Sequence, residues 1–205
     1  MMNKKNASTA RPAVFLDRDG TVMVEKDFLG DPAGVELLPR AAEAIQLLNQ
    51  RGYLAIVVTN QAGVARGYIN EDDVRAVNAR LQDVLQRAGA KVDEIFYCPH
   101  FPDGVIPAYR MACDCRKPRT GLARRALEMF EIDMSRSAMI GDRAADIEFG
   151  HNLGLPSILV LTGYGHAEKE RMEDEFLPAP DFIAADLREA VNWILARTAE
   201  DNRTA

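Results

Sequence analysis

The chain has 205 residues, of which 47% are hydrophobic and 27% are charged, as in an ordinary globular protein. This composition excludes a largely disordered or fibrous chain, and the length suits one domain or one domain with a small insertion. The 31 acidic residues outnumber the 25 basic residues, so the net charge of −6 argues against a broad electrostatic surface for nucleic acid.

The chain ends and hydropathy predict a simple organisation. No apolar run approaches the roughly 18 to 20 residues that span a bilayer. Residues 1–12 carry positive charge but lack the apolar segment and cleavage pattern of a signal peptide. We therefore expect a flexible lead-in over residues 1–12, a single domain over residues 13–197 and a tail over residues 198–205. A cytoplasmic monomer with no membrane or nucleic-acid partner is expected.

Five short apolar runs, most of them followed by polar residues, predict the buried strands of a parallel sheet. Helical patterns alternate with these runs, and this alternation is typical of an α/β fold. We expect a Rossmann-like parallel sheet flanked by helices. In chain order the predicted strands are Ala13–Leu16, Leu54–Val58, Glu94–Tyr97, Ala138–Ile140 and Ser157–Leu161.

The clearest predicted helix is Glu71–Ala88, whose apolar residues recur on one face. Asn70 can cap its start and Gly89 can end it. Asp186 and Glu189 have the spacing of a capping box at the start of another helix. The remaining helices are predicted over Ala41–Asn49, Leu122–Phe130, Ala144–Leu153 and Leu187–Ala196.

Polar residues follow three of the predicted strands. Asp17 and Asp19 come after the first strand, Thr59 comes after the second and Asp142 comes after the fourth. Because the carboxyl ends of parallel strands share one edge of the sheet, we expect these side chains to converge, with Lys117 reaching them from a loop. Carboxylates that are brought together need a compensating cation. Mg²⁺ prefers oxygen ligands of this kind, so the pattern predicts a catalytic magnesium site.

All three cysteines of the chain fall within one short segment, residues 98–115. Cys98, Cys113 and Cys115 together with His100 make a complete tetrahedral ligand set, as structural zinc requires. The alternative is three buried thiols and an unrelated histidine. If zinc binds, it pins this loop and fixes the basic residues that follow Cys115 against the predicted site.

The motifs DRDGT, TNQ, RKP and GDRAAD, in this order, resemble those of the haloacid-dehalogenase-like (HAD) phosphohydrolases. The resemblance covers residues 13–165. It implies a HAD-type fold and an aspartyl-phosphate mechanism. Asp17 matches the nucleophile that attacks phosphorus. Asp19 matches the general acid that protonates the leaving alcohol and then activates water.

The resemblance also implies the ligands of the metal and of the phosphate. Asp17, the backbone carbonyl of Asp19 and the side chain of Asp142 would hold Mg²⁺. Thr59 and Lys117 would bind the oxygens of the transferring phosphoryl group. A carboxylate can attack a phosphate only if cations offset the repulsion between them, which agrees with this assignment.

Asp146 lies one helical turn beyond Asp142. Both carboxylates can therefore face the site, and Asp146 is interpreted as a partner of Lys117 or of a bound water. An exposed helix acid is the alternative. Residues 21–39 are too few to form a large cap domain, so short loops and the zinc-pinned loop alone are expected to cover the site.

The cysteine-rich insert, with FYCPH and CDCRKP, narrows the resemblance to phosphatases of heptose bisphosphates, which act at C7 in the synthesis of lipopolysaccharide precursors. Histidinol-phosphate phosphatase domains share the insert. Several arginines favour a bisphosphate, whereas histidinol phosphate would need acids for its amine. The candidate substrate-binding residues are Asn60, Gln61, Arg66, Arg110, Arg116 and Arg143. A catalytically inert binding protein is a third hypothesis, which phosphate release with and without Mg²⁺ would test.

Overall fold

The structure is a computed structural model that describes residues 10–175 and 177–204. Six strands, all parallel, form one sheet in the order β3-β2-β1-β4-β5-β6. The strands are β1 (Ala13–Leu16), β2 (Leu54–Asn60), β3 (Glu94–Cys98), β4 (Ala138–Gly141), β5 (Ser157–Val160) and β6 (Phe182–Ala184). The helices are α1 (Ala41–Gln50), α2 (Glu71–Arg87), α3 (Gly121–Met129), α4 (Ala144–His151), α5 (Gly165–Asp174) and α6 (Leu187–Thr204).

The strand order reverses direction next to β1, which lies between β2 and β4. Leu16, the last residue of β1, pairs with Val57 of β2 and with Ile140 of β4. Asp17 and Asp142, which follow β1 and β4, and Thr59, which lies at the end of β2, are therefore brought to one edge, as predicted. In open parallel sheets a ligand crevice forms at such a reversal.

Successive side chains of β1 point to opposite faces of the sheet, so this strand enters both large apolar clusters. Val14 and Leu16 pack in the cluster that α1, α2 and α6 complete. Phe15 packs in the cluster on the other face, with α3 and α4. Phe15 meets Phe149 of α4 edge to face, with ring centroids 6.2 Å apart. The expected sandwich of a sheet between helices is confirmed.

Two elements, α5 and β6, were not predicted. The helix α5 buries only Gly165 and Met172, which is too few apolar residues for a recognisable period. The edge strand β6 has three residues, of which only Ala184 is fully buried. Short elements at the edge of a sheet carry the weakest sequence signal, because little of their surface is buried.

The predicted lead-in falls largely on residues 1–9, which lie outside the described residues. Arg11 is already fixed, since its Nε donates to the carbonyl of Gly52 at 2.9 Å. At the other end, α6 continues beyond Ala196 through most of the predicted tail. The hydroxyls of Tyr53 and Thr198 lie 2.9 Å apart and join this extension to the body of the protein.

No large cap domain is present in the described part of the chain. The segment between β1 and α1 contains one 3₁₀ turn, Pro32–Gly34, and isolated bridges. None of the described helices is long and apolar enough to cross a membrane. The described segment between β1 and α1 therefore covers this edge of the sheet as a loop rather than as a domain.

Replacing Phe149 with Ala should lower the free energy of unfolding by about 3 to 5 kcal/mol, because a fully buried ring that packs on Phe15 is lost and a cavity remains. Urea denaturation measures the change. Met129→Ala is the matched control, since Met129 is 58% exposed and its removal should change stability by less than about 0.5 kcal/mol. Equal losses in the two variants would contradict this description of the core.

Candidate active site

A cleft of about 340 Å³ opens where β1 and β2 end. Asp17, Asp19, Thr59 and Lys117 all line it, although they come from separate parts of the chain. These are the four residues predicted to be catalytic. The structure therefore brings the predicted set together in one place.

Lys117 is the centre of the charged network in this cleft. Its Nζ lies 2.6 Å from Oδ1 of Asp17 and 2.5 Å from Oδ1 of Asp146. Burial alone would lower the pKa of Lys117, but the Asp146 and Asp17 carboxylates outweigh burial and raise the pKa above its usual value. Lys117 is therefore a buried, charged ammonium that is held between two carboxylates.

Asp146 is 2% exposed, so it is not an exposed helix acid. Its second oxygen, Oδ2, accepts a hydrogen bond of 3.0 Å from the backbone N–H of Arg143 at the start of α4. The carboxylate thus joins Lys117 to the first turn of α4. The geometry therefore supports the interpretation of Asp146 as a partner of Lys117.

One carboxylate oxygen from each of Asp17, Asp142 and Asp146 lies within 4.8 Å of the other two. Burial, followed by repulsion from the neighbouring carboxylates, raises the pKa of Asp142 to about 8. Burial is also the first cause that raises the pKa of Asp17, to about 7, against the attraction of Lys117. Three carboxylates against one ammonium leave an excess of negative charge, which a divalent cation would balance.

Asp142 also has the free oxygen that a metal ligand requires. Its Oδ2 accepts a hydrogen bond of 2.8 Å from the backbone N–H of Tyr164. Its Oδ1 is buried and has no hydrogen-bond partner among the described residues. A buried, unpaired carboxylate oxygen is costly, and a hard cation would satisfy it. The donor set at this position therefore fits Mg²⁺.

Two glycines allow the backbone to approach Asp142 closely. Gly20 and Gly163 both adopt positive φ, of 78° and 56°. A Cβ at either position would overlap the carboxylate of Asp142. The glycine of DRDGT is therefore required both by its backbone conformation and by the space that Asp142 occupies.

The two residues that follow Thr59 hold other parts of the site in place. The Asn60 side chain donates to the carbonyl of Lys117 at 3.1 Å and accepts from its N–H at 3.0 Å. Nε2 of Gln61 lies 2.8 Å from Oγ1 of Thr59 and 2.8 Å from Oδ2 of Asp19. Both residues line the cleft, but their amides are occupied by protein partners. They act as positioning residues in this geometry.

Arginines on aromatic rings line the outer part of the cleft. The guanidinium groups of Arg66 and Arg116 lie 4.2 Å and 5.0 Å from the ring centroid of Phe101. Arg143 lies 3.9 Å from the ring centroid of Tyr164. Cation–π contacts of this kind hold a long side chain without neutralising its charge. Three of the four predicted substrate-binding arginines therefore line the cleft as expected.

Arg110 is the exception, because it is exposed and does not line the cleft. The backbone N–H groups of Val105 and Ile106 donate to the carbonyl of Ala65 and turn the loop back on itself. The Tyr109 hydroxyl donates to Glu71 at 2.8 Å and fixes the loop on α2. Arg110 therefore does not join the other predicted substrate-binding residues in the cleft, and its role in substrate binding stays a prediction.

Sequence reasoning overlooked several residues in or beside the cleft, among them Tyr164, Glu25 and Arg18. Tyr164 contacts both Asp142 and Arg143, but nothing in its sequence context marks it. Glu25 lines the cleft, and burial together with the nearby charge of Asp19 raises the pKa of Glu25. Arg18 lies inside the DRDGT motif, where its position could have marked it.

The four predicted zinc ligands converge at the end of β3. The three sulfur atoms lie 3.2 to 3.4 Å apart in pairs, and Nδ1 of His100 lies 3.4 Å from Sγ of Cys115. Hydrogen bonds from Cys98 and Cys113 lower the pKa of Cys115 to about 5, so one thiolate is already favoured. Three sulfur donors and one imidazole nitrogen in this arrangement fit Zn²⁺ with no open position.

Comparison with known proteins agrees with this site. The HAD-hydrolase-like family model matches residues 114–190. A D-glycero-beta-D-manno-heptose-1,7-bisphosphate 7-phosphatase from Rhodopseudomonas palustris is 42% identical over 71% of this chain and 81% of that protein. A D-glycero-D-manno-heptose-1,7-bisphosphate 7-phosphatase from Thermosynechococcus vestitus is 40% identical over 92% of this chain and 98% of that protein.

A solved structure is similar over nearly the whole chain. It is the D,D-heptose 1,7-bisphosphate phosphatase of B. bronchiseptica in complex with magnesium and phosphate. The TM-score is 0.79 at 30% sequence identity, and the match covers 91% of this chain and 99% of that chain. Fold and sequence therefore indicate the same group of proteins.

The cysteine cluster predicts that the purified protein contains about one tightly bound zinc ion per chain. Cys113→Ser should lose the zinc and lower the free energy of unfolding by at least about 2 kcal/mol, because structural zinc contributes directly to folding. Elemental analysis and urea denaturation measure the two effects. Met111→Ser, at a 43% exposed position of the same loop, should keep both properties. Active wild-type protein without zinc would contradict the assignment.

Proposed function

The chain belongs to the D-glycero-D-manno-heptose-1,7-bisphosphate 7-phosphatase family of HAD-like hydrolases, and from this membership we propose that it hydrolyses the C7 phosphate of a heptose 1,7-bisphosphate. The observation that carries the proposal is the buried contact of Lys117 with Asp17, in a cleft that Asp19 and Thr59 also line. The enzyme is proposed to work as a cytoplasmic monomer on this small substrate, in the synthesis of lipopolysaccharide precursors.

In the first half of the proposed reaction, a carboxylate oxygen of Asp17 attacks phosphorus. The bond from phosphorus to the C7 oxygen breaks as the bond to Asp17 forms, and Asp19 gives its proton to the leaving alcohol. Lys117 and Thr59 bind the phosphoryl oxygens, where charge develops. Mg²⁺, held by Asp17, Asp142 and the carbonyl of Asp19, would supply further neutralisation of negative charge when bound.

In the second half, a water molecule attacks the phosphorus of the aspartyl phosphate and gives a proton to Asp19. The bond between phosphorus and Asp17 breaks, which releases inorganic phosphate and restores both carboxyl groups to their starting states. Asp19 therefore acts first as an acid and then as a base. Lys117, which is held by Asp146, keeps the charge of Asp17 compensated throughout.

The arginines at the mouth of the cleft support a substrate with a second phosphate. Arg66 and Arg116 are held by an aromatic ring, and no described carboxylate forms an ion pair with either of them. Arg143 differs, because Glu25 lies 3.9 Å from it. Arg66 and Arg116, whose charges are not neutralised by a carboxylate, are suited to a second phosphate. Arg143 together with Glu25 is suited to sugar hydroxyls.

Histidinol phosphate is the second candidate substrate, because Glu25 and Asp27 also line the cleft and could receive an amine. Both acids already have protein partners, because the Tyr164 hydroxyl donates to Asp27 at 2.8 Å and the backbone N–H of Asp27 donates to Glu25 at 2.9 Å. A substrate panel separates the candidates: both anomers of the heptose bisphosphate, fructose 1,6-bisphosphate and histidinol phosphate, each with and without Mg²⁺. We expect Mg²⁺-dependent phosphate release that is fastest with a heptose bisphosphate. No release from any ester would indicate an inert binding protein.

Asp17→Asn should lower phosphate release by at least about a thousandfold, because the amide keeps the shape of the carboxylate but cannot attack phosphorus. Phosphate release is measured alongside circular dichroism, which should be unchanged. Asp103→Asn, an exposed position in the zinc loop, is the control and should retain activity. A folded Asp17→Asn protein with near-native turnover would contradict the nucleophile assignment.

Arg116→Ala and Arg143→Ala should each lower kcat/KM for the heptose bisphosphate about ten- to a hundredfold, as expected when one charge-assisted contact is lost. Hydrolysis of p-nitrophenyl phosphate should change little, since that ester has neither sugar hydroxyls nor a second phosphate. Steady-state kinetics with both substrates measure the difference. Equal losses on both substrates would place these arginines among the groups that perform the chemistry. No loss on either substrate would contradict the proposal that they bind the sugar bisphosphate.

A further inference from the structure

Arg18 is fully buried and lies between the two catalytic aspartates in sequence. Its Nε donates to Oδ2 of Asp19 at 3.0 Å, and one terminal nitrogen donates to Oδ1 of Asp19 at 3.1 Å. The contact is therefore bidentate, and Arg18 makes it with the next residue in the chain. Burying an arginine is costly unless its donors are paired, so this arrangement requires an explanation.

The loop after β1 makes this contact possible. Neighbouring residues of an extended strand point in opposite directions, and such a contact could not form within one. Here the backbone N–H groups of Val22 and Met23 both donate to the carbonyl of Arg18, at 2.9 and 3.0 Å, and Gly20 has positive φ. The tight turn brings the Arg18 side chain back onto Asp19.

The remaining terminal nitrogen of Arg18 is fixed from a different part of the chain. It donates to Oδ1 of Asn78 at 2.7 Å. Asn78 is 7% exposed and lies on the buried face of α2, whose other buried residues are Val74, Val77, Leu81 and Leu85. A polar residue on an apolar face is unfavourable without a partner, and Arg18 is that partner.

Asp19 is held from a second side as well, because Gln61 donates to its Oδ2 at 2.8 Å. Gln61 is 2.8 Å from Oγ1 of Thr59, so the same carboxylate is tied to a group that binds the phosphoryl oxygens. Three N–H donors therefore fix the direction of the Asp19 carboxyl group: Oδ2 accepts from Arg18 and Gln61, whereas Oδ1 accepts from Arg18 alone and keeps a lone pair that can carry the proton. A general acid contributes to catalysis only if its proton lies within hydrogen-bond reach of the leaving oxygen.

We propose that Arg18 is a positioning residue, which, anchored by Asn78 on α2, holds the Asp19 carboxyl in line with the leaving oxygen. The inference rests on the proposed function and adds to it two residues that act through Asp19. It also explains why an asparagine occupies the otherwise apolar buried face of α2. Loss of the pair affects proton transfer to the leaving group rather than the attack by Asp17.

Two substrates with different leaving groups separate an effect on proton transfer from an effect on the attack by Asp17. A sugar alkoxide is strongly basic and leaves only with a proton, whereas p-nitrophenolate leaves without one. Arg18→Lys keeps the positive charge but cannot make the bidentate contact with Asp19. Asn78→Leu keeps the side-chain volume but removes the oxygen that accepts from Arg18. In single-turnover experiments, each should slow release of the sugar alcohol by about ten- to a hundredfold and release of p-nitrophenolate by less than about threefold.

Two further variants make the test specific. Val77→Ala lies next to Asn78 and is also fully buried, so it weakens the packing of α2 without touching Arg18. It should leave the ratio of the two release rates unchanged. Asn78→Asp keeps an acceptor for Arg18 and should hold that ratio within about threefold of the wild-type ratio.

If Arg18→Lys and Asn78→Leu slow both esters equally, as Val77→Ala would, the pair is only structural and the inference is overturned while the proposed function stands. If both variants keep wild-type rates on the sugar ester, the inference is likewise overturned. A wild-type protein that is inactive on both esters overturns the proposed function, and the inference with it.

Discussion

The buried ammonium of Lys117, in contact with both Asp17 and Asp146, is the interaction on which the rest of the site depends. Two carboxylates cannot be buried a few ångströms apart without a compensating charge. Lys117 supplies one positive charge, and the excess that Asp142 adds is what a divalent cation would balance. The same charges that make the site stable are those that a phosphoryl transfer requires.

The fold brings this ion pair together from three directions. Asp17 directly follows β1, the start of α4 carries Asp146, and the segment after the cysteine cluster carries Lys117. The cysteine cluster matters to the chemistry because Cys115 lies two residues before Lys117, and Asn60 fixes the Lys117 backbone from β2. A zinc ion bound at this cluster would therefore help to fix the position of Lys117 without taking part in the proposed reaction.

Much of the site could be predicted because strand ends in a parallel sheet converge, and the motifs mark those ends. The convergence of Asp17, Thr59 and Asp142 follows from that rule, and the cluster of three cysteines with His100 follows from its spacing. The position of Arg110 did not follow, because the turn that directs it away depends on contacts with Ala65 and Glu71, far from it in sequence. The short edge strand β6 and the polar helix α5 bury too little surface to leave a clear pattern.

The most direct test of the central claim is to trap the phosphorylated enzyme. Asp19→Asn removes the base that activates water, while p-nitrophenyl phosphate needs no acid to release its phenolate. Mixing the two in the presence of Mg²⁺ should release about one p-nitrophenolate per enzyme in a burst, with the phosphate retained on the peptide that contains Asp17 when the acid-quenched protein is analysed by mass spectrometry. Release of free phosphate at the same rate as p-nitrophenolate, with no phosphorylated peptide, would contradict the account. Phosphate found on a residue other than Asp17 would contradict it as well.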